Sequence, residues 1–210
     1  MTALIATDRP PEPSALRLIF TLALAGLISG SALVMVYELT FDTIAANRAA
    51  ELRQAVFTVL PDTVRLAGFK LDQGKLTQTD DGATLYAGYD EQNRFTGYAI
   101  PASGAGFQDT IKLIYGLDPR SRSLSGMQVL ESRETPGLGD KIYKDLKFVA
   151  EFSDLQTEPT IELIKGRGNL PNQVDAITGA TISSKAVVNI INQSMDNWLP
   201  LLPEEVATDE

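Results

Sequence analysis

The chain contains no cysteine and no histidine. Without Cys there can be no disulfide, thiolate nucleophile, Cys-ligated iron–sulfur cluster or Cys zinc site. Without His there can be no Ser-His-Asp machinery, His-ligated zinc or His-ligated haem, and no metal site is expected. Redox chemistry in such a chain needs a borrowed organic cofactor, held by other means. The lack of thiols is compatible with either side of a membrane. Basic charge is also short: 18 Lys and Arg stand against 27 Asp and Glu, a formal net charge of −9. With no basic surplus to neutralise phosphates, no nucleic-acid partner is expected. Neither G-x-x-x-x-G-K-[ST] nor a G-x-G-x-x-G following a strand is present, which excludes a P-loop and leaves no nicotinamide dinucleotide fingerprint.

The 210 residues, 44% hydrophobic and 21% charged, suffice for one folded domain and an appendage. Leu18 to Tyr37 carries no charge. Twenty helical residues cover about 30 Å, the hydrocarbon thickness of a bilayer. The run is too long for a typical signal-peptide core, and no clear small-x-small cleavage site follows, so a retained anchor is expected. Arg17 precedes the run and Glu38 follows it, which favours a cytoplasmic N-terminus. Gly26 and Gly30 form a G-x-x-x-G pair with Ser29 beside them. That pair suits either close approach of a second helix or the ordinary glycine content of membrane helices.

Beyond the span, Phe41–Leu60 has helical periodicity and ends at Pro61. Strands are expected over Thr84–Tyr89, Arg94–Ile100, Thr110–Leu117 and Leu124–Ser132, with turns at residues 90–93 and 118–121. Residues 140–152 read as a helix, 161–164 as a short strand, and 182–198 as an amphipathic helix with Ile182, Ala186, Ile190, Ile191, Met195 and Trp198 on its apolar face. Strands first and helices around them indicate an α+β fold with a mainly antiparallel sheet. The expected divisions are a short cytoplasmic tail (1–15), a transmembrane helix (16–38), a linker or stalk helix (39–62), the main domain (63–200) and a loose C-terminal tail (201–210).

Asp175-Ala-Ile-Thr-Gly-Ala-Thr-Ile-Ser-Ser184 leads through a glycine turn into the last helix, with hydroxyls at Thr178, Thr181, Ser183 and Ser184. A helix N-terminus offers unpaired N–H groups and a positive dipole end. Gly179 and Ala180 leave the backbone accessible, and Lys185 could add positive charge. An anion could therefore sit here, nearest to Thr181. Ser and Thr before an apolar helix are also common caps, and on local physics alone a cap is the more frequent meaning.

Glu131-Ser-Arg-Glu-Thr-Pro-Gly-Leu-Gly-Asp-Lys-Ile142 follows a strand and opens a helix. Pro136, Gly137 and Gly139 make a rigid turn that brings backbone amides close to whatever lies above it. Leu138, between two glycines, is expected to be an exposed apolar tip suited to packing against a flat ring. An ordinary strand-to-helix loop accounts for the same residues.

E-T-P-G-L-G followed some forty residues later by D-x-[IV]-[ST]-G-A-T-x-[ST] resembles the periplasmic covalent FMN-binding domain family. Its members are flavin-carrying subunits of Rnf-type and Nqr-type ion-translocating electron-transport complexes. The short length, single N-terminal span and E-T-P-G-L-G-D-K-I wording are most similar to the G subunits of the Rnf branch, over roughly residues 16–198. The resemblance implies FMN esterified through its phosphate to Thr181 by a separate flavin transferase, which accounts for covalent flavin in a chain without His or Cys. It implies that Asp175 opens the transferase's recognition motif. Thr178 stands where many members have Ser. Glu134, Thr135, Gly137, Leu138 and Gly139 are expected near the isoalloxazine ring, and Thr178, Gly179, Ala180, Ser183 and Lys185 near the phosphate.

The implied function is an electron-carrying subunit of a membrane-bound ion-translocating ferredoxin:NAD oxidoreductase, without independent turnover and with no catalytic side chain. Its partners would be the other membrane and peripheral subunits, and the transferase during maturation. The implied location is the bacterial inner membrane, single-pass, with the main domain periplasmic. The span has no charge to line an ion path, so translocation would belong to partner subunits. Three alternatives remain open: the flavin subunit of a Na⁺-translocating NADH:quinone reductase, a flavin-free membrane-anchored scaffold, and a soluble flavin reductase. The anchor and the missing nucleotide fingerprint speak against the third.

Overall fold

The computed structural model describes residues 14–72, 75–79, 82–166 and 168–204. The tail expected over 1–15 lies outside them apart from its last two residues, as does the part of the C-terminal tail beyond 204. Two compact units are present, Met1–Ala49 and Ala50–Glu210.

The helix α1 (Ala15–Val59), whose 45 residues reach about 68 Å, makes up the described part of the first unit as far as Ala49, and its last ten residues belong to the second. From Ala15 to Glu51 every side chain is exposed, including Phe20, Leu22, Leu27 and Leu33. An apolar helix that no protein covers on any face needs an apolar solvent. It is long and apolar enough to cross a membrane. The expected span and stalk form one uninterrupted helix.

The second unit is built on a seven-stranded antiparallel sheet, ordered β2-β1-β3-β4-β5-β6-β7. The strands are β1 (Arg65–Asp72), β2 (Lys75–Gln78), β3 (Leu85–Tyr89), β4 (Phe95–Ala105), β5 (Thr110–Asp118), β6 (Ser123–Glu131) and β7 (Leu155–Gln156). β8 (Glu162–Ile164) and β9 (Gln173–Asp175) form a separate parallel pair. The helices are α2 (Lys141–Lys144), α3 (Leu146–Ala150) and α4 (Thr181–Trp198).

Alternation along the strands explains the layers. Tyr98, Ile100, Leu113, Tyr115 and Leu117 point to one face and pack with Val187, Ile191 and Met195 of α4 and Phe148 of α3. Ala99 and Ile114 point to the other face and meet Ala55, Val56 and Val59 at the end of α1. Covered on both faces, β5 reads as a nearly continuous apolar run. Gly116 is glycine because a Cβ there would collide with the Val59 carbonyl.

Several elements depart from expectation. The β1–β2 hairpin is not expected from sequence, because it is an edge and Phe69 is its one buried residue among those described. β4 runs past Pro101 to Ala105. Its pairing with β3 ends at Ala99, so the missing proline N–H interrupts no ladder on that side. The helix expected over 140–152 breaks at Asp145, which is extended and caps α3 through its carboxylate. β7 and β9 are too short to carry a period.

Candidate functional site

Three loops converge beside the start of α4: the β4–β5 turn, the β6–α2 loop and the β9–α4 loop. Glu134 ties them together. Its side chain is buried, with the residue 5% exposed. Oε1 accepts the backbone N–H of Phe107 at 2.8 Å and of Gln108 at 3.0 Å. Oε2 accepts the Ser183 hydroxyl at 2.6 Å. Burial pushes this carboxyl up, but the bonds from Ser183 and from the Gln108, Phe107 and Asp109 backbone outweigh it and hold it below the ordinary range. Gly139 packs on the same carboxylate, since a Cβ there would lie 2.6 Å from Oε2 and 2.9 Å from Ser183 Oγ.

The loop between them is held by its own contacts. Gly137 has φ +79°, the left-handed region that favours glycine. Its N–H donates to Asp140 Oδ1 at 2.8 Å, and Lys144 Nζ donates to Asp140 Oδ2 at 2.6 Å. The Lys144 ammonium and the Gly137 amide hold the Asp140 carboxyl low, and Asp140 in turn raises Lys144. Thr135 Oγ1 donates to Gln108 Oε1 at 3.0 Å.

Above this layer opens a cleft of about 340 Å³, lined by Phe107, Thr135, Leu138, Gly139, Gly179, Ala180, Thr181, Ile182 and Ser183. That volume lies in the range of small-molecule sites. Its rim is apolar and uncovered: Phe107 is 63% exposed, Ile182 60% and Leu138 50%. A larger hollow of about 640 Å³ at Pro61–Val64 contains none of the motif residues, and its arginines pair locally, Arg94 with Asp90 and Arg120 with Asp118.

The four hydroxyls of the β9–α4 segment divide in two. Ser183 is committed to Glu134. Ser184 Oγ accepts from the Ile177 N–H at 3.2 Å and donates to the Ala180 carbonyl at 3.0 Å. Thr178 and Thr181 have no side-chain hydrogen bond among the described residues. The N-cap is Ala180, and no side chain caps α4. The cap that local physics favoured is therefore not made. Instead the N–H groups of Thr181, Ile182 and Ser183 lack partners among the described residues, and the Thr181 hydroxyl stands beside them on the cleft. Gly179, at φ +84°, makes the turn that delivers this arrangement.

Of the residues singled out from sequence, Thr135, Leu138, Gly139, Gly179, Ala180, Thr181 and Ser183 line the cleft. Glu134 and Gly137 support it from beneath and behind. Asp175, Thr178 and Lys185 do not line it. Asp175 and Thr178 line a neighbouring hollow of about 360 Å³. There the Asp175 carboxylate accepts the Gly168 N–H, and its own N–H donates to Glu151. Burial, the largest influence, raises the Glu151 carboxyl. Lys185 is exposed on α4. Sequence reasoning missed Phe107, whose one signal is an aromatic in a polar turn. It put Ile182 on the core face of α4, whereas the first turn directs Ile182 to the rim. It also missed Lys141, whose Nζ reaches the Thr178 carbonyl.

Residues 106–196 match the FMN-binding domain family, a stretch that holds the whole cleft. The chain is 31% identical over 182 residues to the G subunit of the ion-translocating oxidoreductase complex of Methanosarcina acetivorans, covering 86% of this chain and 92% of that protein. This chain belongs to the family of G subunits of ion-translocating oxidoreductase complexes. A second relative, the G subunit of the proton-translocating ferredoxin:NAD(+) oxidoreductase complex of Clostridium ljungdahlii, is 27% identical over 83% of this chain and 86% of its own length. Among solved structures, NqrC of Shewanella oneidensis aligns with TM-score 0.59 at 17% identity, covering 74% of this chain and 99% of that one. The C subunit of the Na(+)-translocating NADH-quinone reductase from Parabacteroides distasonis aligns with TM-score 0.60, also at 17% identity, over 77% and 95%. At that identity the likeness establishes the fold, the α+β architecture expected from sequence.

The cleft of this G-family protein fits FMN by its donors and its walls. Unpaired amides and a free hydroxyl suit a phosphate. Phe107, Leu138 and Ile182 suit a flat apolar ring.

Proposed function

We propose that this protein carries FMN as a phosphoester on Thr181 and relays electrons within a membrane-bound ion-translocating ferredoxin:NAD oxidoreductase. The observation that carries this reading is the unpaired Thr181 hydroxyl, set among unpaired amides at the head of α4 and opening on the apolar-rimmed cleft. When bound, FMN supplies the reversible electron uptake that no side chain of this chain can supply. The protein's own residues bind and orient. The Thr181 oxygen would form a P–O bond and lose its proton as the flavin donor's phosphorus loses an oxygen-linked leaving group to the transferase reaction, so the adduct weighs FMN less one water. The amides of α4 face the remaining phosphate charge, and Phe107, Leu138 and Ile182 exclude water from the ring. Glu134 keeps the three loops in register.

Residues 16–38 serve as the membrane span, and 39–62 carry the chain to the flavin domain at 63–200. The reading includes a cytoplasmic N-terminus, a periplasmic main domain and an inner-membrane location, supported by Arg17 before the span and Glu38 after it and consistent with a transferase that acts on exported domains. Asp175 and Thr178 face the neighbouring hollow, where a transferase would read them outside the cleft itself. The other subunits of the complex are the partners and supply the ion path. Relatives covered over most of their length are G subunits, which favours the ferredoxin:NAD type over the quinone reductase type.

The test is peptide mass spectrometry of the denatured protein from a host with an active flavin transferase. FMN less one water on Thr181 is the expected mass increase. An unmodified Thr181, with a control protein flavinylated in the same cells, refutes the covalent reading and leaves the scaffold.

A further inference from the structure

We infer that Lys141, and not Lys185, supplies the countercharge to the cofactor phosphate. This rests on Thr181 as the attachment point. Lys141 is the first residue of α2 and is half-buried. Its Nζ donates one long bond, 3.4 Å, to the Thr178 carbonyl and lies 3.9 Å from where a Cβ on Gly179 would be. Lys141 lines the neighbouring hollow with Asp175 and Thr178, and Gly179, which it adjoins, lines the cleft two residues before Thr181.

An ammonium has three donors, and this one has a single weak acceptor. The carboxylates around it already accept hydrogen bonds from other groups, and the Lys141 charge acts on Asp140 only as a secondary influence behind Lys144 and Gly137. Asp140, its chain neighbour, is taken by the Gly137 N–H and by Lys144. Asp145 accepts the Lys147 N–H, Asp175 the Gly168 N–H, and Glu151 the Asp175 N–H. No ion pair forms on Lys141 among the described residues. A cation with a single long protein acceptor keeps donors available for an anion. A phosphodiester on Thr181 retains one negative charge, and a flexible four-carbon stem lets the amine move from the Thr178 carbonyl onto it. Neither lysine lines the cleft as it stands, but Lys185 is exposed, one turn along α4, and makes no hydrogen bond to the Thr178–Gly179 turn among the described residues.

The test compares full-length wild type, Lys141→Met, Lys141→Arg, Lys185→Met and Lys147→Met in detergent, each prepared with and without flavin transferase. Flavin occupancy at Thr181 comes from mass spectrometry. The second readout is the rise in thermal midpoint on flavinylation, at low and high salt. Without flavin, Lys141→Met is expected to melt like wild type. With flavin it keeps about half or less of the wild-type rise and loses its salt dependence. Lys141→Arg restores the rise, and Lys185→Met and Lys147→Met keep it. A Lys141→Met protein that folds but takes up flavin poorly, while the other variants load fully, also supports the assignment. A full salt-dependent rise in Lys141→Met, its loss in Lys185→Met, or no rise in wild type overturns it. An unmodified Thr181 in wild type is a separate result that removes the attachment reading itself.

Discussion

The walls of the cleft and its foundation lie a few ångströms apart and follow opposite rules. Thr181, Leu138, Ile182 and Phe107 face the opening, exposed or half-buried, and the Thr181 hydroxyl and the Thr181 and Ile182 amides are unpaired among the described residues. Glu134, Ser183, Gly139 and Asp140 lie beneath, buried and with their side-chain polar groups satisfied. A folded protein leaves polar groups unpaired where water or a ligand will reach them, and pairs the rest. Changes in the wall should therefore strike the cofactor and spare stability. Changes in the foundation should strike stability first.

The largest effect expected is Thr181→Ala, which abolishes covalent flavin as read by in-gel flavin fluorescence. Because Thr181 makes no side-chain hydrogen bond, unfolding should move by less than about 0.5 kcal/mol, well under a lost cap. A loss above about 1 kcal/mol would erase the distinction between wall and foundation. Next comes Glu134→Ala, which strands the Phe107 and Gln108 amides and the Ser183 hydroxyl; urea unfolding should register a loss of about 2–4 kcal/mol. Gly139→Ala forces a methyl against Glu134 and Ser183, and the same measurement should show about 1–3 kcal/mol.

Acid offers a softer probe of the foundation. The Glu134 and Asp140 carboxyls both lie below their ordinary values of 4.5 and 3.8. Groups depressed on folding contribute stability that is complete above the unfolded value and fades as pH falls through the folded one. Hydrogen exchange at the Phe107, Gln108 and Gly137 amides should thus stay slow down to about pH 5 and accelerate below about pH 4, after correction for intrinsic rates. The smallest effect is expected from Lys185→Ala, with flavin occupancy and melting both unchanged.

Legibility in the sequence followed the length over which a physical signal repeats. The apolar run of α1 and the periodicity of α4 each extend over many residues, and both helices stand where expected. The β1–β2 edge, β7 and β9 are short or half-polar, and only pairing with neighbours makes them strands. At the site, glycine turns advertised themselves because few other residues tolerate their backbone. Phe107 did not, because it reaches the site from a segment with no motif of its own, and Lys141, although inside the E-T-P-G-L-G-D-K-I stretch, did not because residue type alone does not say where a long side chain ends. Ile182 was misread because helical period cannot say where the core ends along a helix.

By itself, the sequence determined that any redox group must be borrowed and that one helix needs an apolar solvent. It also determined that a hydroxyl-bearing turn opens the last helix. Those conclusions depend on residue type and local spacing alone. Which hydroxyl is free, which carboxylate is a clamp and which lysine stands near the turn were decided by the tertiary structure. Each depends on what a fold brings alongside from distant parts of the chain, and an unpaired group is recognisable only once all its neighbours are in place.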